Sequence, residues 1–391
     1  MKKKIGLLPR IIIAIALGIG LGLFMPGWFV RIFSTFNGIF SQLLGFFVPL
    51  IILGFVAPAI FGLKDQAGKM LIFTVAIAYL STIVSGTLSY FTSSTVLPHL
   101  ITPESPKAIE DSASAFLPYF EMKIPPMLDV LGAIVLAFAL GLAASVIKGH
   151  TLRDFLVDFR DVIELVVTKL IVPLLPIYIF GVFLDMTASG KVVEVMGLFV
   201  KVIVLVILMH LCWLLILFCI SGAISKRNPF KLLKTMLPSY VTALGTQSSV
   251  ATIPVNLKQV REMGVSQEVT DFVVPLCANI HLSGSILQIT AFSVAIMLMH
   301  QMPVSFGLSI GFILMLGIVV VAAPGVPGGS IMAALGVLST MLGFSPDDLA
   351  LIISLYIAVD SFGTATNVTG DGAIALIVDA FRAKESGATP C

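Results

Sequence analysis

The chain has 391 residues, of which 58% are hydrophobic and 11% charged, and its mean hydropathy is +1.08. Water-soluble domains carry about 25% charged residues, so a soluble fold is excluded and an integral membrane protein with many spans is indicated. The net charge of +2 says little by itself, because the charge sits in linkers, and no nucleic-acid partner is expected.

A bilayer core of ~30 Å takes ~20 apolar residues per helix. Six segments meet this before residue 230, at about 10–30, 37–63, 70–96, 127–147, 163–185 and 194–224. The opening "MKKK" and the apolar run after it predict a first span rather than a cleaved signal peptide, since the run is long and lacks a small-residue cleavage site. Basic residues mark alternate linkers: Lys2–Lys4, Lys64 and Lys69, Lys148 and Arg153, then Lys226, Arg227, Lys231 and Lys234. The linker 97–126 is acidic, with Glu104, Glu110, Asp111 and Glu121 against Lys107 and Lys123. The positive-inside rule then places the N-terminus and the basic linkers in the cytoplasm of a plasma membrane. Asp158, Asp161 and Glu164 predict a solvated helix face, and His210 and Trp213 packing or interface groups. Cys212, Cys219, Cys277 and Cys391 have no metal-type spacing.

Beyond residue 230 the pattern changes. Apolar segments are interrupted at "GTQSSVATIP" (245–254) and "APGVPGGS" (323–330), and each is followed by a longer segment with its own polar stretch, "NIHLSGS" (279–285) and "TATNVTGD" (364–371). Hairpin, interrupted helix, hairpin, interrupted helix reads as an internal repeat. Loop charges at Arg227, Lys258, Arg261, Arg382 and Lys384 make its halves inverted, with the C-terminus cytoplasmic. Interrupted segments at matching places in inverted halves point to a transporter binding site. Irregular backbone at membrane depth is tolerated only where protein or a water-filled cavity satisfies it.

On the last helix, Asp360, Thr364, Asn367 and Asp371 fall at offsets 0, 4, 7 and 11, within a sector of about 60° and over ~16 Å of axis. A charged side chain at the bilayer centre costs ~2.5–3.5 kcal/mol, and no Lys or Arg lies between Arg261 and Arg382. Either both acids are protonated structural groups, or their partners are mobile: a metal ion, a proton or a substrate ammonium. Asn367 and Asp371 beside Gly370 suit a small hard cation such as Na⁺, with a proton as the alternative.

The stretches "TQSSVATIPV", "PLCANIHLSGS", "GVPGGS" and "DSFGTATNVTGD" resemble the dicarboxylate/amino acid:cation symporter family, which has the glutamate-transporter fold. The resemblance implies an all-α integral membrane protein with eight transmembrane helices, two re-entrant hairpins and inverted repeats, working as an elevator and assembled as a homotrimer in lipid. Residues 1–229 would be mainly scaffold, with the third and sixth spans moving with a transport core of 230–391. It further implies that Asp360 binds the substrate ammonium, while Asn367 and the tip residues Ser248 and Ser249 hold its carboxylate. Val326, Pro327 and Gly328 of the second hairpin would gate the site, and Gly363 and Thr364 would adjoin the substrate. Na⁺ would be held by Asn367 and Asp371 with Ala278 and His281.

Three departures from the family pattern bear on function. Acidic-substrate members carry an Arg where this chain has Gly363, and another where it has Gln247. Without a bidentate partner a second substrate carboxylate is disfavoured, so a neutral amino acid is expected, with room left beside Gly363. The family's Asn-Met-Asp-Gly-Thr stands here as His281-Leu282-Ser283-Gly284-Ser285, which removes a carboxylate from one Na⁺ site. Ser81 and Thr82 align with hydroxyls of that site. His281 admits two readings: a neutral hydrogen-bonded residue in a helix break, or a group that titrates and carries a coupled proton.

The expectation is a symporter coupling inward Na⁺ movement to uptake of serine, threonine, alanine or a larger polar amino acid. A proton-coupled or Na⁺-coupled carrier of a dicarboxylate or acidic amino acid is the runner-up. An ion channel would use similar features. An intramembrane hydrolase built on Ser248, Ser249 and His281 lacks an oriented third member.

Overall fold

The structure is a computed structural model that describes residues 6–64, 69–100, 116–190, 192–321, 323 and 328–385. Its elements are helical. They are α1 (Leu7–Gly22), α2 (Gly27–Lys64), α3 (Lys69–Leu100), α4 (Val130–Val146), α5 (Thr151–Val166), α6 (Val172–Ala188) and α7 (Val192–Ser225), then the short α8 (Pro229–Thr235). The first hairpin is α9 (Leu237–Thr246) and α10 (Ser249–Glu262), and the broken helix after it is α11 (Gln267–Ile280) and α12 (Ser283–Met299). The second hairpin is α13 (Phe306–Val321) and α14 (Gly329–Leu342), followed by α15 (Pro346–Glu385).

Six stretches among the described residues are long and apolar enough to cross a membrane: Gly27–Phe61, Lys69–Leu100, Thr151–Ala188, Val195–Ser225, Gln267–Met299 and Pro346–Ala383. Four shorter apolar helices accompany them. The protein is therefore a multi-pass membrane protein.

Several boundaries differ from the sequence reading. The first helix ends at Gly22 rather than near residue 30, and α2 begins at Gly27 rather than near 37. Pro26 lacks the amide that would continue α1, so the chain turns there. The fifth apolar segment is extended N-terminally by amphipathic α5, joined to α6 through a π-helical turn at Val167–Ile171. Asp158, Asp161 and Glu164 are all exposed on α5. The larger correction concerns residues 364–371, where a helix break was expected: α15 runs without interruption through them.

Packing groups the helices. α1 lies on α6, and α2 lies on α4, α5 and α6; α3 and α7 instead pack against α12 and α15. The α1–α6 contact is made through a Gly-x-x-x-Gly face. A Cβ on Gly18 would meet the Phe180 carbonyl oxygen at 2.8 Å, and one on Gly22 would meet Thr187 Cβ at 2.5 Å. Such small-residue faces let helix backbones approach where lipid supplies no hydrophobic drive. A hydroxyl ladder ties α3 to the break between α11 and α12. Ser81 Oγ lies 2.9 Å from His281 Nε2, Ser85 donates to the Ser283 carbonyl at 2.8 Å and Ser89 to the Leu287 carbonyl at 2.6 Å.

Within an apolar 18-residue stretch of each long segment, 94% is buried for Gln267–Met299 and 78% for Pro346–Ala383, against 39–56% for the others. The two helices that carry the polar motifs are thus the ones kept from lipid, as an intramembrane charge requires.

The α1 face provides its own control, because Gly20 has nothing within 4 Å of the Cβ position. Gly18→Ala and Gly22→Ala are expected to lower stability by about 1–3 kcal/mol through overpacking, and Gly20→Ala to have little effect. Thermal unfolding of the three variants in detergent checks this.

Candidate functional site

The first hairpin turns at Gln247, whose φ of 53° is left-handed, and Ser248 caps α10 by accepting from the Ala251 amide at 3.3 Å. Gly328 begins α14 with φ 78°, a conformation that L side chains rarely adopt. Between α11 and α12 the backbone leaves the helix at His281 and Leu282. These three interruptions meet the polar face of α15 around a cavity of about 60 Å³.

The first hairpin lines that cavity with Gln247, Ser248, Ser249 and Val250, and the second with Ala323, Gly329 and Ser330. Ala278, Asn279, Leu282 and Ser285 come from the broken helix, and Tyr356, Asp360, Thr364 and Asn367 from α15. The N-terminal ends of α10 and α14 and the C-terminal end of α11 all reach it. N-terminal helix ends favour anions and C-terminal ends favour cations. One cavity therefore offers both polarities and a buried carboxylate.

Asp360 is 5% exposed and accepts from the Gly328 amide at 2.9 Å. Its carboxylate thereby ties the second hairpin to α15. Asn367 is held on both ends of its carboxamide: Oδ1 accepts from the Gly284 amide at 2.8 Å, and Nδ2 donates to Ser285 Oγ at 3.0 Å. Tyr356 OH also reaches Ser285 Oγ, at 3.2 Å. The first amides of α12 have no intrahelical acceptor, and Asn367 supplies one. This lateral bonding explains why a polar stretch on α15 does not break it. Asn256 of the first hairpin bonds α15 similarly, donating to the Val368 carbonyl at 3.0 Å.

Asp371 takes a different place. It is 1% exposed, is not among the cavity-lining residues, and faces His281 Nδ1 at 3.0 Å. His281 is fully buried and bridges Asp371 to Ser81. Gly370 permits this approach, since a Cβ there would stand 2.6 Å from His281 Cε1. The Thr82 hydroxyl, one residue on, donates to the Ala78 carbonyl at 2.8 Å. Among the described residues no group of three or more His, Cys, Asp or Glu side chains is arranged to hold a metal ion, so a cation here would depend on carbonyl and amide oxygens.

The space expected beside Gly363 is filled. A Cβ there would lie 2.7 Å from Gln288 Oε1. His210 is a packing group in the sense expected, fully buried and 3.0 Å through Nε2 from the Gly284 carbonyl, and Trp213 is buried beside it on α7. Val326 and Pro327 lie outside the described residues. The sequence reading missed Asn279 and Tyr356 as residues that line the cavity. Gln288, a polar residue in an apolar run, was passed over as well; it packs against Gly363 without lining the cavity.

Discontinuous helices converging on a partly open cavity with a buried carboxylate, among long apolar helices, are the architecture of a membrane transport protein. The sequence model of the sodium:dicarboxylate symporter family matches residues 7–381, and the chain belongs to that family, a family of transporters and not of enzymes. It is 28% identical over 257 residues to excitatory amino acid transporter 1 of Ambystoma tigrinum, covering 64% of this chain and 47% of that protein. It is 28% identical over 264 residues to an excitatory amino acid transporter of Caenorhabditis elegans, covering 64% and 50%. For excitatory amino acid transporter 4 of Mus musculus the identity is 28% over 265 residues, covering 66% and 46%. The chain spans about half the length of the curated relatives it matches.

Gly284 is the tightest point between α12 and α15. A Cβ there would stand 2.6 Å from the Gly363 carbonyl oxygen and 2.8 Å from Thr366 Cβ. Gly284→Ala is expected to cost about 1–3 kcal/mol or more, read as a lowered unfolding temperature in detergent.

Proposed function

We propose that the protein is a secondary active symporter that couples inward Na⁺ movement to uptake of a neutral amino acid such as serine, threonine or alanine. The observation that carries this reading is the cavity between the two hairpins, where Asp360, Asn367, Thr364, Ser248 and Ser249 meet and to which no Lys or Arg among the described residues contributes. A zwitterion suits such a site: its ammonium toward Asp360, its carboxylate toward Asn367 and the hairpin tip. A second carboxylate would enter next to Asp360 with no Arg to receive it.

Na⁺ is assigned as co-transported substrate to the region of Asn367 and Asp371, with the Ala278 carbonyl and His281 nearby. The His281–Asp371 contact means that the imidazole and a cation compete for the same carboxylate. Binding of Na⁺ and amino acid each strengthens the other, which is reciprocal linkage. Eight spans and two re-entrant hairpins, with both termini cytoplasmic in the plasma membrane, complete the reading. So do a homotrimer and an elevator motion of residues 230–391 against a scaffold of mainly residues 1–229. The packing of α3 and α7 on α12 and α15 supports moving those two helices with the core.

The second reading is a dicarboxylate or acidic amino acid carrier, coupled to Na⁺ or to protons through His281. The family's description favours it. Uptake of radiolabelled amino acids into proteoliposomes, with and without a Na⁺ gradient at two pH values, separates the two. The expected outcome is saturable uptake of serine, threonine or alanine that collapses without Na⁺ at either pH. Aspartate uptake outcompeting every neutral amino acid would overturn the neutral assignment, and uptake driven by a pH gradient alone would overturn Na⁺ coupling. In the same assay Asp371→Asn is expected to weaken apparent Na⁺ affinity at least ~30-fold, the lower end of what losing a buried charge partner costs. Unchanged Na⁺ dependence would remove Asp371 from the cation site.

A further inference from the structure

Gln288 is a fully buried carboxamide that the fold leaves with neither end paired. It is 0% exposed on α12, and Oε1 and Nε2 both lack a hydrogen-bond partner among the described residues. Buried polar groups are almost always bonded, and an orphan in a native interior calls for a reason. The other orphans differ in kind. Asn256 leaves only the oxygen unpaired, Asn37 is only partly buried, and most of the rest are hydroxyls, which rotate freely to seek a partner.

Its position supplies the reason. Ser285, one turn earlier on α12, lines the cavity. Asp360 and Thr364, which bracket Gly363 on α15, line it as well. At Gly363 itself α15 offers no side chain, and the Cβ position lies 2.7 Å from Gln288 Oε1 and 3.1 Å from Nε2. The amide therefore packs against the Asp360–Thr364 stretch of α15, behind residues that line the cavity.

We propose that Gln288 reads the side chain of the transported amino acid and selects one ending in an uncharged hydrogen-bonding group, a hydroxyl or a carboxamide. This rests on the amino acid symport reading above and narrows it. A hydroxyl or a carboxamide both donates and accepts, so it pairs with either end of the glutamine amide. A hydrocarbon leaves both ends unpaired, and a site built to hydrogen-bond its substrate rejects the analogue that lacks the group. A carboxylate only accepts; it engages Nε2 alone while facing Oε1 and the Asp360 carboxylate, and the segment between Arg261 and Arg382 holds no Lys or Arg to offset it.

Two near-isosteric pairs test this in proteoliposomes: threonine against valine, and asparagine against leucine. The full chain is expected to prefer the polar member of at least one pair by ~10-fold or more in kcat/KM, and Gln288→Leu to bring that ratio to within about 3-fold of unity. Should Gln288→Leu fail to fold, as judged by its unfolding temperature, Gly363→Ala replaces it, since the added Cβ displaces the amide and must reduce the same ratio. Wild-type uptake with no preference in either pair overturns the proposal without recourse to any variant. Preference retained in a folded variant overturns the role of Gln288 while leaving neutral amino acid transport standing. Wild-type transport of aspartate in place of neutral amino acids overturns the parent reading and this one with it.

Discussion

The hydrogen bond from the Gly284 amide to Asn367 Oδ1 is the contact on which the interior depends. A helix that stops and restarts within an apolar shell exposes amides and carbonyls that lipid cannot satisfy. Asn367 answers the first turn of α12, Ser285 answers Asn367, and Tyr356 closes the group. From outside, α3 bonds the Ser283 and Leu287 carbonyls and His210 of α7 bonds that of Gly284. The broken helix is stable because α15 is continuous beside it, and α15 can carry polar residues because the broken helix uses them. Half-satisfied polar networks in low dielectric are costly, so the two helices are determined together.

The same constraint separates the two acids of α15. They share a helix face, yet Asp360 opens on the cavity and bonds the second hairpin, while Asp371 is turned to His281 and Ser81 behind the break. Eleven residues along the axis suffice to put one carboxylate where a soluble ammonium can reach it and the other where only a small ion or a fixed imidazole can.

Much of the site could be read from the chain alone. The spacing of Asp360, Thr364, Asn367 and Asp371, the serines of the first hairpin tip and the Gly-rich second tip all reduce to local periodicity and backbone conformation. Two things could not be read. The polar run 364–371 looked like a break because Thr, Asn and Gly disfavour helix, but lateral hydrogen bonds and the close approach of His281 and Gln288 to Gly370 and Gly363 outweigh propensity. Gly363 looked like free space because sequence shows the side chain that is missing and not the neighbour that fills the gap.

By itself the sequence determined that the protein lives in a membrane, that it has two interrupted hairpins, and that its buried acids have no fixed cation between Arg261 and Arg382. Composition, helical period and charge are properties of the chain, and they survive any folding of it. Only the tertiary structure decided which acid meets His281, which glycine admits a neighbour, and that Gln288 stands unpaired beside Gly363. Each of those is a distance between residues far apart in sequence, set by how closely α3, α7, α12 and α15 pack, and no local rule specifies it.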